Sequence, residues 1–205
     1  MAKLQLVIGT KQYSSWSLRP WLALKQAGLS FEEIIIPLRC AETRAEILRY
    51  SPSGKVPALL QGDHVVWDSL AICEYVADLA CAHPMWPEHR GARSVARSVA
   101  AEMHSGFPAL RRDLPMDVHL RQPDFVPGEE AAADIERVKQ IWRDCRQRFS
   151  AGGPFLFGPF TLADAMYAPV VFRFQSYGVL LDPVCAAYME AMLALPAMQE
   201  WVAGS

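Results

Sequence analysis

Apolar positions fall along this chain in two rhythms. The first third carries short solid or alternating runs, and the rest repeats every three or four residues. "LQLVI" (residues 4–8) reads as a short buried strand ending at Gly9. A helix to about Ala27 follows, stopped by Gly28. Leu18, Trp21, Leu22 and Leu29 form its apolar face, while Arg19, Lys25 and Gln26 fall elsewhere. "FEEIIIPL" (residues 31–38) reads as a second strand. "AETRAEILRY" is a weaker helical segment that "SPSGKVP" breaks. "PALLQ" and "HVVW" flank Gly62 and Asp63, a strong hairpin signal. The spacing then predicts a helix from Ser69 to about Ala82, with Leu70, Cys73, Val76, Ala77 and Ala80 on its apolar side. The order is βαβαββα.

"HPMWPEHRG" is rich in proline and has no period, as a linker has. Beyond it no strand pair stands out. Residues 90–112 read as helical. Residues 129–149 form a long amphipathic helix with Ile135, Val138, Ile141, Trp142 and Cys145 inward. "TLADAMYA" opens a further helix with Thr161 as N-cap and Asp164 at the third helical position, a capping box. Two shorter helices split at Pro196 finish the chain. The expected organisation is an α/β domain over residues 1–82, a linker over 83–90 and an all-helical domain over 91–205.

Composition narrows the class. The 205 residues are 52% apolar and 20% charged with a net charge of −2, as in a soluble globular chain. No basic cluster calls for nucleic acid or a membrane surface, and the arginines between 90 and 112 fall at helical spacing on solvated faces. The five cysteines are scattered and the five histidines form no H-x-x-x-H pair. Neither a disulfide framework nor a metal site is expected. "MAKLQLVIGT" is too short an apolar stretch for a signal peptide, so the default home is a reducing cytoplasm.

Three stretches could carry chemistry. In "YSSWSLRP", Pro20 lacks an N–H and disfavours a helical Arg19, which sets the helix start near Ser17. Ser17 is the best N-cap candidate, because Pro20 then falls at the third helical position. Ser14 and Ser15 sit in the preceding loop, either as simple caps or as donors to an anion or thiolate at a helix N-terminus. In "SGKVPALL", Val56–Pro57 is either an ordinary turn or a cis bond that would present the Val56 backbone to a ligand. In "WDSLAICEYV", Asp68 and Ser69 either cap a helix or grip an amino-acid head group, the acid on an ammonium and the serine on a carboxylate.

The order of these stretches resembles the thioredoxin-like domain of cytosolic glutathione transferases, and "TLADAMYAP" resembles the capping-box helix of their second domain. "SSWSLRPWLAL" is similar to the serine motif S-S-C-S-x-R-V-R-I-A-L of the zeta class, through Ser14, Ser15, Ser17, Arg19, Ala23 and Leu24. Trp16 stands where that motif has cysteine, and Pro20 and Trp21 stand where it has Val-Arg. A serine-type bacterial transferase of unassigned class therefore fits better than a maleylacetoacetate isomerase or a cysteine-dependent thiol transferase.

The resemblance implies a thioredoxin-like N-terminal domain followed by an all-α domain, glutathione as co-substrate, no metal and a homodimer serving detoxification. It implies that Ser14 donates to the glutathione sulfur with Ser15 in support. It also implies that Val56–Pro57 is cis with Val56 pairing the cysteinyl backbone, and that Asp68 and Ser69 hold the γ-glutamyl end. Lys55 is either a ligand for the glycyl carboxylate or a solvated lysine. The electrophile site is expected between the domains, lined by Met103, Phe107 and Tyr167, which plain core packing explains equally well. Conjugation to a hydrophobic electrophile leads. Glutathione-dependent cis–trans isomerisation and a non-catalytic binding module are the alternatives.

Overall fold

The computed structural model describes residues 2–80 and 84–205. The first part runs β1 (Leu4–Gly9), α1 (Ser15–Gln26), β2 (Phe31–Ile36), α2 (Thr43–Leu48), β3 (Ala58–Gln61), β4 (His64–Trp67) and α3 (Ser69–Leu79). The second is helical: α4 (Arg90–Ser105), α5 (Pro108–Asp113), α6 (Glu129–Phe149), α7 (Leu162–Ser176), α8 (Pro183–Leu193) and α9 (Pro196–Ala203). This is the thioredoxin-like sheet with an all-helical half that the sequence implied.

The sheet has the order β2-β1-β3-β4. β1 runs parallel to β2 and antiparallel to β3, and β3 and β4 form the hairpin around Gly62. Gly62 has φ 60, a left-handed conformation that glycine adopts without a Cβ penalty. Strand alternation sorts β1 between two cores. Leu4, Leu6 and Ile8 join α1 and α3 in the main core, while Val7 packs with Ile36, Ile47 and Ala58 on the α2 side. The main core continues through α1 to α7, which is apolar nearly all round and buried along its length. The two halves thus share one interior.

Three expectations need correction. First, α1 starts at Ser15 with Ser14 as N-cap, not near Ser17. Ser17 is fully buried and its Oγ accepts from the Gly9 N–H at 3.1 Å, so it fastens the helix to the end of β1. Pro20 lies inside the helix. Second, the helical stretch over 90–112 is two helices. A Cβ on Gly106 would lie 2.7 Å from the Glu102 carbonyl oxygen, Phe107 takes φ 61, and Pro108 opens α5. Third, the linker is docked. Met85 and Trp86 are buried, Trp86 Nε1 donates to Glu74 Oε2 at 3.0 Å, and the Leu162 N–H donates to the Met85 carbonyl at 2.9 Å. The expected domain boundary, and the last turn expected to reach Ala82, fall at residues 81–83, outside the described residues. Among the described residues no helix is long and apolar enough to cross a membrane.

Candidate active site

A cleft of about 490 Å³ opens where the α/β half meets α4. That volume lies within the range of small-molecule sites. α1 contributes Trp16. The loop into β3 contributes Ser53, Lys55, Val56 and Pro57. The junction of β4 and α3 contributes Trp67, Asp68 and Ser69, and α4 contributes His104.

Each wall has a local cause. The Val56–Pro57 bond is cis, and Val56 stands outside the β3 ladder, which begins with Ala58 opposite Val7. Lys55 donates its N–H to Ser53 Oγ at 3.2 Å, and Ser53 Oγ lies 2.9 Å from Ser51 Oγ, so the loop is braced by its own hydroxyls. Asp68 is the N-cap of α3. Its Oδ1 accepts from Leu70 N at 2.9 Å and Ala71 N at 3.2 Å, and its φ is 76. One oxygen does all of the capping, which leaves Oδ2 for His104 Nε2 at 3.2 Å. Ser69, the first residue of α3, is buried and its Oγ has no hydrogen-bond partner among the described residues. It faces the cleft at a helix start, where free N–H groups and the helix dipole favour an anion.

Ser14 and Ser15 are buried beside the cleft and are not among its lining residues. Ser14 Oγ donates to Ser17 Oγ at 2.7 Å, and the Ser15 N–H donates to the Tyr13 carbonyl at 2.9 Å. Met103, Phe107 and Tyr167 belong to the core, not to the cleft. Met103 and Tyr167 are almost wholly buried, and Tyr167 donates its hydroxyl to the Val99 carbonyl at 3.2 Å. Phe107 is buried at the α4–α5 break. The helical half meets the cleft through His104, one step further round α4 than Met103.

Sequence reasoning did not select Trp16, Ser53, Trp67 or His104 as site residues, and it set Arg19 off the apolar face. Arg19 is fully buried, and none of its guanidinium nitrogens has a hydrogen-bond partner among the described residues. Its guanidinium lies 4.2 Å from the centre of the Trp16 ring, and that of Arg111 lies 4.8 Å from it. His104 meets the same ring edge-on at 5.5 Å. Burial pulls Arg19 down to about 9, so it stays charged at neutral pH. Burial also lowers His104.

A four-stranded thioredoxin-like sheet, a cis-proline loop, hydroxyl groups at the start of α1 and an acid–serine pair at the start of α3, backed by an all-helical half, define the class of cytosolic glutathione transferases. Residues 13–79 match the family described as "Glutathione S-transferase, N-terminal domain", and residues 128–204 match "Glutathione S-transferase, C-terminal domain". The chain belongs to the glutathione S-transferase family. It is 29% identical over 163 residues to a "Glutathione S-transferase zeta class" of Euphorbia esula, covering 78% of this chain and 68% of that one. It is 30% identical over 173 residues to a "Probable maleylacetoacetate isomerase" of Caenorhabditis elegans, covering 82% and 78%. The fold is similar to that of a glutathione transferase homolog from Burkholderia with bound glutathione, with a TM-score of 0.74 at 24% identity over 98% of this chain and 97% of that chain.

Proposed function

We propose that this chain conjugates glutathione to a hydrophobic electrophile. The observation that carries the reading is the convergence of Lys55, Val56, Asp68 and Ser69 on one cleft beside the start of α1. Asp68 Oδ2 takes the γ-glutamyl ammonium. Ser69 Oγ, which has no partner among the described residues, takes the adjoining carboxylate together with the α3 N-terminus. Val56 pairs its backbone with the cysteinyl residue, and Lys55 reaches the glycyl carboxylate. Ser14 donates to the sulfur with Ser15 beside it, which requires its hydroxyl to turn away from Ser17 at a cost of about 1 kcal/mol.

A thiol starts near pKa ~8.5. A hydrogen bond to the charged form contributes about 1.5–3 kcal/mol and a helix terminus about 0.3–1. At about 1.36 kcal/mol per unit, these lower the thiol by roughly one to three units, which makes the thiolate the major form near neutrality. The thiol proton leaves to solvent. The sulfur lone pair then forms a C–S bond to the electrophilic carbon, and a leaving group departs with its electron pair. Trp16 and His104 line the cleft on that side.

On this reading residues 1–82 are the glutathione-binding domain, 83–90 the linker and 91–205 the helical domain, and the protein acts as a homodimer in the cytoplasm. Calorimetric titration with glutathione tests the shared site, and a panel of electrophiles tests turnover. Absence of both, with a co-purifying partner protein, would replace this reading with a non-catalytic module. Sedimentation as a monomer at micromolar concentration would refute the dimer.

The 30% identity to a named isomerase favours one second reading. There the thiolate adds to a cis-enone, the former double bond rotates, and elimination regenerates both the trans product and the thiolate. Turnover of maleylacetone with substoichiometric glutathione decides for it.

A further inference from the structure

Beside the cleft lies a buried guanidinium to which no carboxylate is hydrogen-bonded among the described residues. Arg19 is fully buried, and among the described residues none of its three guanidinium nitrogens has a hydrogen-bond partner. A buried ion without a counter-ion is among the most expensive things a fold can hold. Helix α1 places Arg19 one turn after Trp16, and its guanidinium packs on that indole at 4.2 Å, with Arg111 of α5 on the same ring at 4.8 Å. Trp16 in turn forms part of the cleft surface with Val56 and Pro57. Two guanidinium groups therefore pack on an indole that lines the cleft, and neither lines it itself.

Resting on the glutathione reading above, we infer that the Arg19–Arg111 pair behind Trp16 supplies the positive potential that holds the bound glutathione sulfur as a thiolate. These are positioning residues for charge, since neither reaches the ligand directly.

The groups around Arg19 support this. Arg111 from α5 and Arg173 from α7 add to its positive field. Cys73 of α3, pushed up to about 12 by burial, stays a neutral thiol. Tyr167 of α7, raised well above an ordinary phenol by burial, stays neutral too. His104 of α4, lowered by burial, favours its neutral form. Asp68 is the carboxylate that acts on Arg19, and it already accepts from two backbone N–H groups and faces His104. Asp134 of α6 acts on Arg111 and already accepts from the Leu110 N–H at 2.9 Å. Arg111 gives its Nε to the Gly106 carbonyl at 3.0 Å and an Nη to the Met103 carbonyl, which orients it and leaves its charge in place. Three cations, Arg19, Arg111 and Arg173, stand against two carboxylates, Asp68 and Asp134, and an anion entering the cleft relieves the imbalance. By linkage, whatever the anion does for Arg19 the arginine does for the anion. The field acts through protein, not solvent, so salt screens it weakly.

The test is a pH titration of thiolate absorbance for glutathione bound to wild type, Arg19→Met, Arg19→Lys and Arg111→Gln, beside calorimetry with S-methylglutathione, which cannot ionise at sulfur. In Arg19→Met the apparent thiol pKa should rise by about one unit, a tenfold loss of thiolate at a pH below it. S-methylglutathione affinity should be unchanged, and Arg19→Lys should restore the wild-type titration. An unshifted thiol in Arg19→Met overturns the inference. If Arg19→Met does not fold, Arg111→Gln decides. A smaller rise there supports the inference, and none overturns it. Loss of S-methylglutathione binding by wild type is a different failure. It removes the glutathione reading, and the inference falls with it.

Discussion

Asp68 Oδ2 lies 3.2 Å from His104 Nε2, which ties the residue ahead of α3 to the last turn of α4 across the two halves of the chain. Burial lowers His104 below its usual value of 6.5, reinforced by Arg19 and Arg111 and opposed by Asp68. A depressed folded-state value means the unfolded chain binds the proton more readily. The stability His104 contributes is therefore fully present above about pH 6.5 and is lost as pH falls through its folded value. Thermal melts between pH 7.5 and 5 should show a larger fall in Tm for wild type than for His104→Gln. Equal slopes would mean that His104 titrates as a free histidine.

Asp68 has two duties on two oxygens, and they separate by substitution. Asp68→Ala should weaken glutathione binding, raising KM at least tenfold with kcat little changed, because the ammonium it holds is remote from the sulfur. It should also cost about 1 kcal/mol of stability through the lost cap. Asp68→Asn keeps an oxygen for Leu70 and Ala71, so it should lose the affinity and keep most of the stability. A sharp fall in kcat at constant KM would refute the assignment.

The serines of "YSSWS" should part in the same way. Ser14→Ala should raise the thiol pKa of bound glutathione while leaving glutathione affinity nearly intact. Ser17→Ala should leave the thiol unmoved. It should instead destabilise the fold by about 1–3 kcal/mol, because the buried Gly9 N–H loses its acceptor. If Ser17→Ala alone shifts the thiol, the two roles must be exchanged. If neither shifts it, the serines are not the activators.

What the sequence revealed, and what it hid, follows from where the information sits. The Gly62 turn, the 129–149 helix and the Thr161–Asp164 box were legible because turn chemistry, a 3.6 period and capping are local. The break at Gly106 and Pro108 was equally local, and a continuous helical reading passed over it. Ser17 was misplaced because its partner is Gly9, a contact made by the strand folding back on the helix. Arg19 was set off the apolar face because a cation at that spacing normally reaches water, whereas α3, α5 and α7 close over it. Met103 in place of His104 is an error of one residue, or about a quarter turn of helix. Periodicity finds the buried face of a helix, and a cleft lies at the edge of that face.

The two halves are clamped by α9. Trp201 is fully buried, donates its Nε1 to the Lys11 carbonyl at 3.0 Å and meets Trp21 at 5.1 Å. Lys11, itself paired with Glu33 at 2.7 Å, lies 5.5 Å from the Trp201 ring. Trp201→Ala should cost about 3–5 kcal/mol in urea denaturation. Trp201→Phe restores most of the volume and leaves the Lys11 carbonyl unpaired, so about 1–3 kcal/mol should remain. A loss below 1 kcal/mol for the alanine variant would show that α9 docks weakly.

Asp164 is fully buried at the start of α7 and accepts from Thr161 N at 2.8 Å, Thr161 Oγ1 at 3.0 Å and Leu156 N at 3.0 Å. Burial raises it from 3.8 to about 6 despite these donors. The folded chain therefore holds the proton more tightly than the unfolded one. The resulting stability is fully present below about pH 3.8 and is lost as pH rises through about 6, on the order of 3 kcal/mol in all. Asp164→Asn cannot titrate. Its single oxygen serves one of the two backbone donors, and its amide nitrogen is turned against the other, a loss of about 1–3 kcal/mol. The two effects combine with a definite sign. The stability gap between wild type and Asp164→Asn should be widest below about pH 4 and should narrow as pH rises through about 6, because ionisation penalises only the wild type. Denaturant melts of both proteins across that range measure the gap, and other titrating groups cancel in the difference. A gap that does not narrow as pH rises through about 6 would mean that Asp164 is not held above its usual range, and that its three donors offset burial.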